Sequence, residues 1–238
     1  MYTYNKKILF SDIDCNSKMT VDGILNAMQD CVNINSESIG RGIDYMMEKK
    51  RTWFAISWNI EIRRFPKMFE DVVVKTWPYD FSSSMGMRNV IITDSCGNDI
   101  ICADSLWTLM DMNTGRPTKI EEEDRLGYDV EEKYPMESLG RKIKLPKEME
   151  VIDTVTVRKS DIDYNGHMSN GKYIQIADEY MDFDVNISRI RVEYKSQSKY
   201  QEKILIKRAI EDGRHVIVMV GEEAGDTKAV VEFTVDIA

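Results

Sequence analysis

Apolar residues recur at helical spacing in two places along this chain, and each time a run of alternating, strand-like segments follows. In the first place Ile24, Met28, Cys31 and Val32 fall on one helical face, with Asp22 positioned to cap it. In the second, Tyr173, Ile174, Ala177, Tyr180 and Met181 do the same after Ser169 or Asn170. The period then changes from helical to two. "WFAISWNIEIRR" alternates Phe54, Ile56, Trp58, Ile60 and Ile62 with polar neighbours, and "RIRVEYK" alternates Ile190, Val192 and Tyr194. Further β-rich runs are "DVVVKTW", "MRNVIIT" and "IICADSLWTLM", then "KILIKRAI", "HVIVMV" and "AVVEFTV". Gly97-Asn98, Asp212-Gly213 and Gly225-Asp226 sit between them as hairpin signals.

The loop before each helix also repeats. "DIDCNSKMTV" at 12–21 and "DIDYNGHMSN" at 161–170 match at an interval of 149 positions, pairing Asp14 with Asp163, Asn16 with Asn165, Lys18 with His167 and Met19 with Met168. A solenoid unit repeats every ~20–50 residues, so this interval has the size of a small domain instead. Each half reads as strand, loop, helix and about four antiparallel strands, which makes an α+β unit. The predicted boundaries are 1–114 and 149–238, joined by a linker over 115–148 that holds three of the five prolines. Its acidic run Glu121–Asp124 is predicted to be a solvated face.

Composition narrows the function classes. A chain of 238 residues, 42% hydrophobic and 31% charged, can bury a real core. Four cysteines without a CxxC pair, beside two histidines, suggest neither a disulfide framework nor a zinc site. A net charge of −9 argues against bulk binding to nucleic acid or to an anionic membrane. The segment "MYTYNKKILF" lacks the apolar stretch and cleavage site of a secretory signal, so a cytoplasmic protein is expected. His215, inside "RHVIVMV", is expected to be an ordinary strand residue.

The motif D-x-D-x-N-x-H, continued as "MSNGKYI", resembles the signature of the acyl-acyl-carrier-protein thioesterases, which end fatty-acid synthesis. The likeness extends over nearly the whole chain, through "WNIEI" with "RRFP", "SLWTLMDMNTGRP" and "VEYKSQS". It implies two tandem hotdog domains, each a long helix wrapped by an antiparallel sheet, in agreement with the repeat. It also implies an active site formed where two hotdog units pair. Only one loop then has to keep the chemistry, so the His167 loop is expected to be catalytic and the Lys18 loop a scaffold. In this family the acyl pocket is built by the first helix and the strand bearing Trp53, Phe54, Ile56 and Trp58, and methionines such as Met46 and Met47 are suited to an adaptable lining.

Thioester hydrolysis needs a water or carboxylate to attack the carbonyl and donors to hold the oxyanion. In an extended loop, alternate side chains share one side, so Asp163, Asn165 and His167 would face one cavity. The start of the following helix would add N–H groups and a positive dipole end. On this reading Asp163 activates the water or attacks directly, Asn165 orients the water, and His167 polarises the carbonyl or shuttles protons.

The chain departs from the family at three positions. Gln197 stands where a glutamate is usual and Ser198 where a cysteine often sits, so a glutamate base and a cysteine nucleophile are both excluded there. Either residue could position the water, and Ser198 is a nucleophile only if a base activates it. Ser169 replaces an asparagine and is expected to cap the helix equally well.

The activity implied is hydrolysis of fatty acyl-[acyl-carrier protein] without metal or organic cofactor. An acyl-CoA thioesterase of the same fold and a non-hydrolytic acyl-binding module are the alternatives. The partner implied is the acyl carrier protein with its phosphopantetheine-linked chain, and a homodimer stays open. Carrier and chain are both acidic, so docking needs a local basic patch. Candidates are Lys49, Lys50 and Arg51, then Arg63 and Arg64, then Arg141, Lys142 and Lys144.

Overall fold

The computed structural model describes residues 1–182 and 185–236. The chain forms two compact units, Met1–Ile56 with Arg63–Leu139, and Ser57–Ile62 with Gly140–Ala238.

The first unit runs β1 (Tyr2–Lys7), α1 (Val21–Ser38), α2 (Ile43–Glu48), β2 (Arg51–Ile62), β3 (Asp71–Ser82), β4 (Met85–Asp94), β5 (Asp99–Asp111), β6 (Arg116–Pro117) and α3 (Glu122–Arg125), the last residues of β2 counting with the second unit. Antiparallel pairing orders the strands β1, β3, β4, β5, with β6 on β5. Helix α1 lies against β1, β3 and β4 and buries the predicted Ile24, Met28, Cys31 and Val32. Its cap is Thr20, two residues earlier than Asp22, because the Thr20 hydroxyl accepts from the Gly23 N–H at 2.9 Å.

The second unit holds β7 (Glu150–Thr156), α4 (Asn170–Asp178), β8 (Ile187–Tyr194), β9 (Lys203–Glu211), β10 (Arg214–Gly221) and β11 (Thr227–Val235). Its strands are ordered Ser57–Glu61 of β2, then β8, β11, β10, β9 and β7, all antiparallel. Helix α4 rests on β11 and buries Tyr173, Ile174 and Ala177. It stops before Tyr180 and Met181, which the apolar spacing had included; the chain turns there, and the Tyr180 hydroxyl donates to Asp153 at 2.7 Å. Each unit is a helix on an antiparallel sheet, and the chain is a tandem hotdog of the α+β class.

The hydrogen bonding repeats as faithfully as the sequence. Ile8 donates to Glu70 O and Phe69 to Ile8 O in the first unit, as Val157 donates to Glu202 O and Gln201 to Val157 O in the second. Phe69 and Gln201 even share a left-handed backbone, at φ 66° and 65°. Val157 lies 149 positions after Ile8, but Glu202 lies only 132 after Glu70, a difference of 17 (149 less 132). The difference falls between helix start and the following strands, where α1 has 18 residues and is followed by α2, while α4 has 9.

Two local expectations differ in the structure. Strand β2 does not alternate in one phase: Ala55 and Ser57 are buried and then Trp58, Ile60 and Ile62, so both faces are covered at 57–58 and Phe54 and Ile56 stay half-exposed. Asp124 is fully buried rather than solvated. It closes the N-terminus of α3 through the Glu121 N–H at 2.8 Å, accepts from Tyr45 at 3.2 Å and pairs with Arg51. The hairpins form where glycine and aspartate predicted, with φ 85° at Gly97, 46° and 76° at Asp212 and Gly213, and 69° at Gly225.

Candidate active site

The His167 loop belongs to the second unit and is a closed turn, not an extended segment. The Asp163 N–H donates to His167 O at 2.8 Å, and Gly166 donates to Asp163 O at 3.0 Å with φ 77°. That left-handed position suits glycine. The carboxylate completes the turn: Asp163 Oδ1 accepts from the Asn165 N–H at 2.8 Å and the His167 N–H at 3.5 Å. The argument from alternating side chains therefore does not apply. The three residues are gathered by a turn of five, closed by its own first aspartate.

The Lys18 loop is built the same way. Asp14 Oδ1 accepts from the Asn16 N–H at 2.8 Å and the Lys18 N–H at 2.9 Å, and Asp12 and Asp161 each hold the backbone ahead of their loops. Both copies thus keep the aspartates as structural caps. Of the three polar positions at issue, the one that differs is the seventh, Lys18 against His167.

A second segment is tied to the catalytic candidate. The Met168 N–H donates to Ser198 O at 2.9 Å, and the Ser198 N–H donates to the Tyr173 hydroxyl at 2.9 Å. Tyr173 is held edge-on against Tyr194, with centroids 5.8 Å apart, and Tyr194 donates to Asn170 O at 2.9 Å. Burial raises the Tyr173 hydroxyl's pKa, an effect opposed by the Ser198 N–H that donates to it. Ser198 is fully buried, whereas the Gln197 side chain is exposed, so the structure brings the serine to the loop and leaves the glutamine outside it. Ser169 occupies the N-cap of α4, but its side chain makes no capping bond; its N–H donates to Asp161 O at 2.8 Å.

Among the described residues, three buried polar atoms on these two linked segments have no hydrogen-bond partner: Asn165 Oδ1, His167 Nδ1 and Ser198 Oγ. Buried polar atoms are nearly always satisfied, so these three single the segments out as the candidate site. Beside Gln197 lies a charged network that the sequence reading did not single out. Lys228 Nζ contacts Glu202 at 2.5 Å, Asp226 at 3.2 Å and Gln197 O at 3.3 Å, and Ser196 donates to Asp226 at 2.5 Å. Burial pulls the Lys228 pKa down, but the two carboxylates outweigh it and hold the ammonium charged. Only the alternating pattern of β11 could have hinted at this buried lysine.

The first unit carries a cavity of about 60 Å³, lined by Val32 and Ser36 of α1 and by Trp53, Phe81, Trp107 and Tyr128 among others. Counted this way, a single water needs only ~10–15 Å³. Trp53 alone of the four strand residues expected at an acyl pocket lines it. Among the described residues no group of three or more His, Cys, Asp or Glu could hold a metal, and no helix is long and apolar enough to cross a membrane.

Comparison with known proteins follows the same division. The family model for the acyl-ACP thioesterase N-terminal domain matches residues 1–128, and that for the C-terminal domain matches 143–234. The chain is 22% identical over 227 residues to an oleoyl-acyl carrier protein thioesterase of Coriandrum sativum, covering 85% of this chain and 61% of the relative. It is 26% identical over 191 residues to a palmitoyl-acyl carrier protein thioesterase of Cuphea hookeriana, covering 73% and 45%. The chain thus spans about half the length of these curated relatives. In fold it is similar to an acyl-ACP thioesterase from Bacteroides thetaiotaomicron, with TM-score 0.89, 22% identity and coverage of 98% and 97%. It is likewise similar to the 12:0-ACP thioesterase from Umbellularia californica, with TM-score 0.88, 18% identity and coverage of 99% and 96%. With both of its domain models matched in order along the sequence, the chain belongs to the acyl-ACP thioesterase family.

Proposed function

We propose that this protein hydrolyses the thioester of fatty acyl-[acyl-carrier protein], releasing the free fatty acid and ending fatty-acid synthesis. Beyond family membership, the observation that carries this reading is the trio of unpartnered buried atoms on Asn165, His167 and Ser198. The Lys18 loop has the same backbone and lacks the imidazole.

Asp163 Oδ1 is committed to the loop, and Oδ2 serves as the base. Water attacks the carbonyl carbon, its proton passes to Asp163, and Asn165 orients it. His167 polarises the carbonyl and shuttles the proton taken up by Asp163 to the departing thiolate as the C–S bond breaks, which returns both side chains to their starting state. Ser198 contributes a hydroxyl to the same place, as a positioning group. Gln197, exposed and neutral, has no chemical step.

The cytoplasm is the compartment proposed. The carrier's phosphopantetheine-linked chain is the ligand, with no metal or cofactor in the reaction. Of the candidate docking patches, Lys49 and Arg51 are engaged with Glu123 and Asp124, and Arg64 with Glu70 and Asp94. Arg141, Lys142 and Lys144 are exposed and make no ion pair among the described residues, which favours them as the carrier contact.

The test is release of free fatty acid by the purified chain from one acyl group carried on the carrier protein and on CoA. Faster turnover on the carrier supports the reading. Equal or faster turnover on CoA overturns the carrier assignment, and tight acyl binding without turnover overturns the hydrolase assignment.

A further inference from the structure

Strand β4 places an arginine where its sequence parity calls for an apolar residue. Gly86, Arg88, Val90 and Ile92 share the inward face, and Arg88 is only 6% exposed. Its Nη1 donates to Asn35 Oδ1 at 2.9 Å and to Thr76 Oγ1 at 3.2 Å, and the guanidinium stacks over Tyr128 at 5.2 Å from the ring centroid. Among the described residues no carboxylate pairs with it, and both of its hydrogen bonds leave from Nη1, so Nε and Nη2 are not engaged by them. Burial, with no opposing carboxylate, lowers its pKa from the usual arginine value.

This arginine lines the cavity of the first unit, whose other walls are mostly aromatic and aliphatic. The pocket is kept tight: a Cβ on Gly86 would come within 3.2 Å of Phe81 and 3.3 Å of Trp53. A plain hydrocarbon chain entering it would strip solvent from the three N–H groups on Nε and Nη2 and return no acceptor, a loss that polar pockets impose on apolar ligands. An oxygen on the chain would fill that role.

The geometry points to an acyl chain bearing an acceptor oxygen, as hydroxyl, oxo or carboxylate group, seated in this cavity with that oxygen on Arg88. Arg88 is then the residue that selects oxygenated over plain chains. This inference rests on the reading of the protein as an acyl thioesterase, and concerns which acyl groups it takes.

Binding can be read apart from hydrolysis, because Trp53 and Trp107 line the cavity and report occupancy by fluorescence. The probes are dodecanoic acid, mid-chain hydroxy- and oxo-dodecanoic acids, ω-hydroxydodecanoic acid and dodecanedioic acid, with the matching carrier thioesters for turnover. The expected result is at least ~10-fold tighter binding, and a similarly higher kcat/KM, for an oxygenated member over dodecanoic acid. Arg88→Met abolishes that preference and keeps or improves binding of dodecanoic acid. Arg88→Lys, which keeps the cation but not the two-pronged donor geometry, retains part of it. Dodecanoic acid binding as well as every oxygenated acid overturns the inference on the wild-type protein alone, whatever the folding of the variants. A preference that survives Arg88→Met does the same. Absence of turnover with the binding preference intact would fall on the hydrolase reading instead.

Discussion

Asp163 closes its turn and, on the proposed mechanism, serves as the base, and substitution can separate the two. Asparagine keeps an Oδ1 acceptor for the Asn165 and His167 N–H groups, so Asp163→Asn preserves the turn while removing the base. Turnover is expected to fall at least ~100-fold with little change in melting temperature, whereas Asp14→Asn leaves turnover unchanged. Steady-state kinetics beside thermal melts checks both. The cysteines divide just as clearly. Cys15 and Cys96 are exposed, while Cys31 and Cys102 are buried, and burial pushes the Cys31 thiol up to about 12. Titration of the native protein with a thiol reagent near neutral pH should show two fast groups, and four after denaturation. Asp163, Asn165 and His167 were legible as a site because they are neighbours in sequence. The Ser198–Tyr173 bond and the burial of Arg88 were not, since each depends on contacts between distant positions. A charged residue at inward strand parity was the one written sign of Arg88.

Helix termini give a contrast between elements of equivalent position. Thr20 closes α1 with its hydroxyl, and Ser169 leaves α4 to backbone bonds alone. Thr20→Ala should destabilise by about 1 kcal/mol in urea unfolding, and Ser169→Ala by much less. The β4–β5 hairpin has a pH signature. Asp94 is bound by the Asn98 side chain and backbone, by Arg64 and by the Cys96 N–H, and these hold its carboxyl at about 2. A depressed folded-state pKa stabilises above the ordinary value of 3.8 and is lost as pH falls toward 2. Melting temperature should therefore drop across that window less steeply for Asp94→Asn than for the parent protein. Hairpin positions were readable because glycine and aspartate mark them locally. The phase change in β2 and the end of α4 were not, because both are set by what covers the element. Asp124 was misread for the same reason, its partner Arg51 lying 73 positions away.

For the whole molecule, a net charge of −9 opposes an acidic carrier, so on the proposed reading productive encounter depends on the exposed cations at Arg141, Lys142 and Lys144. Reversing Arg141 and Lys142 to glutamate should raise KM for the carrier substrate several-fold and leave kcat unchanged, and the parent KM should rise with salt. The longer α1 and the added α2 have a consequence for how such a chain changes over time. The half with the cavity has the longer helical stretch and the half with the imidazole the shorter, so on the proposed reading drift in substrate choice and drift in rate act on separate stretches of the gene. Recombinants that exchange residues 21–50 between relatives would then inherit the donor's fatty-acid profile and the recipient's speed.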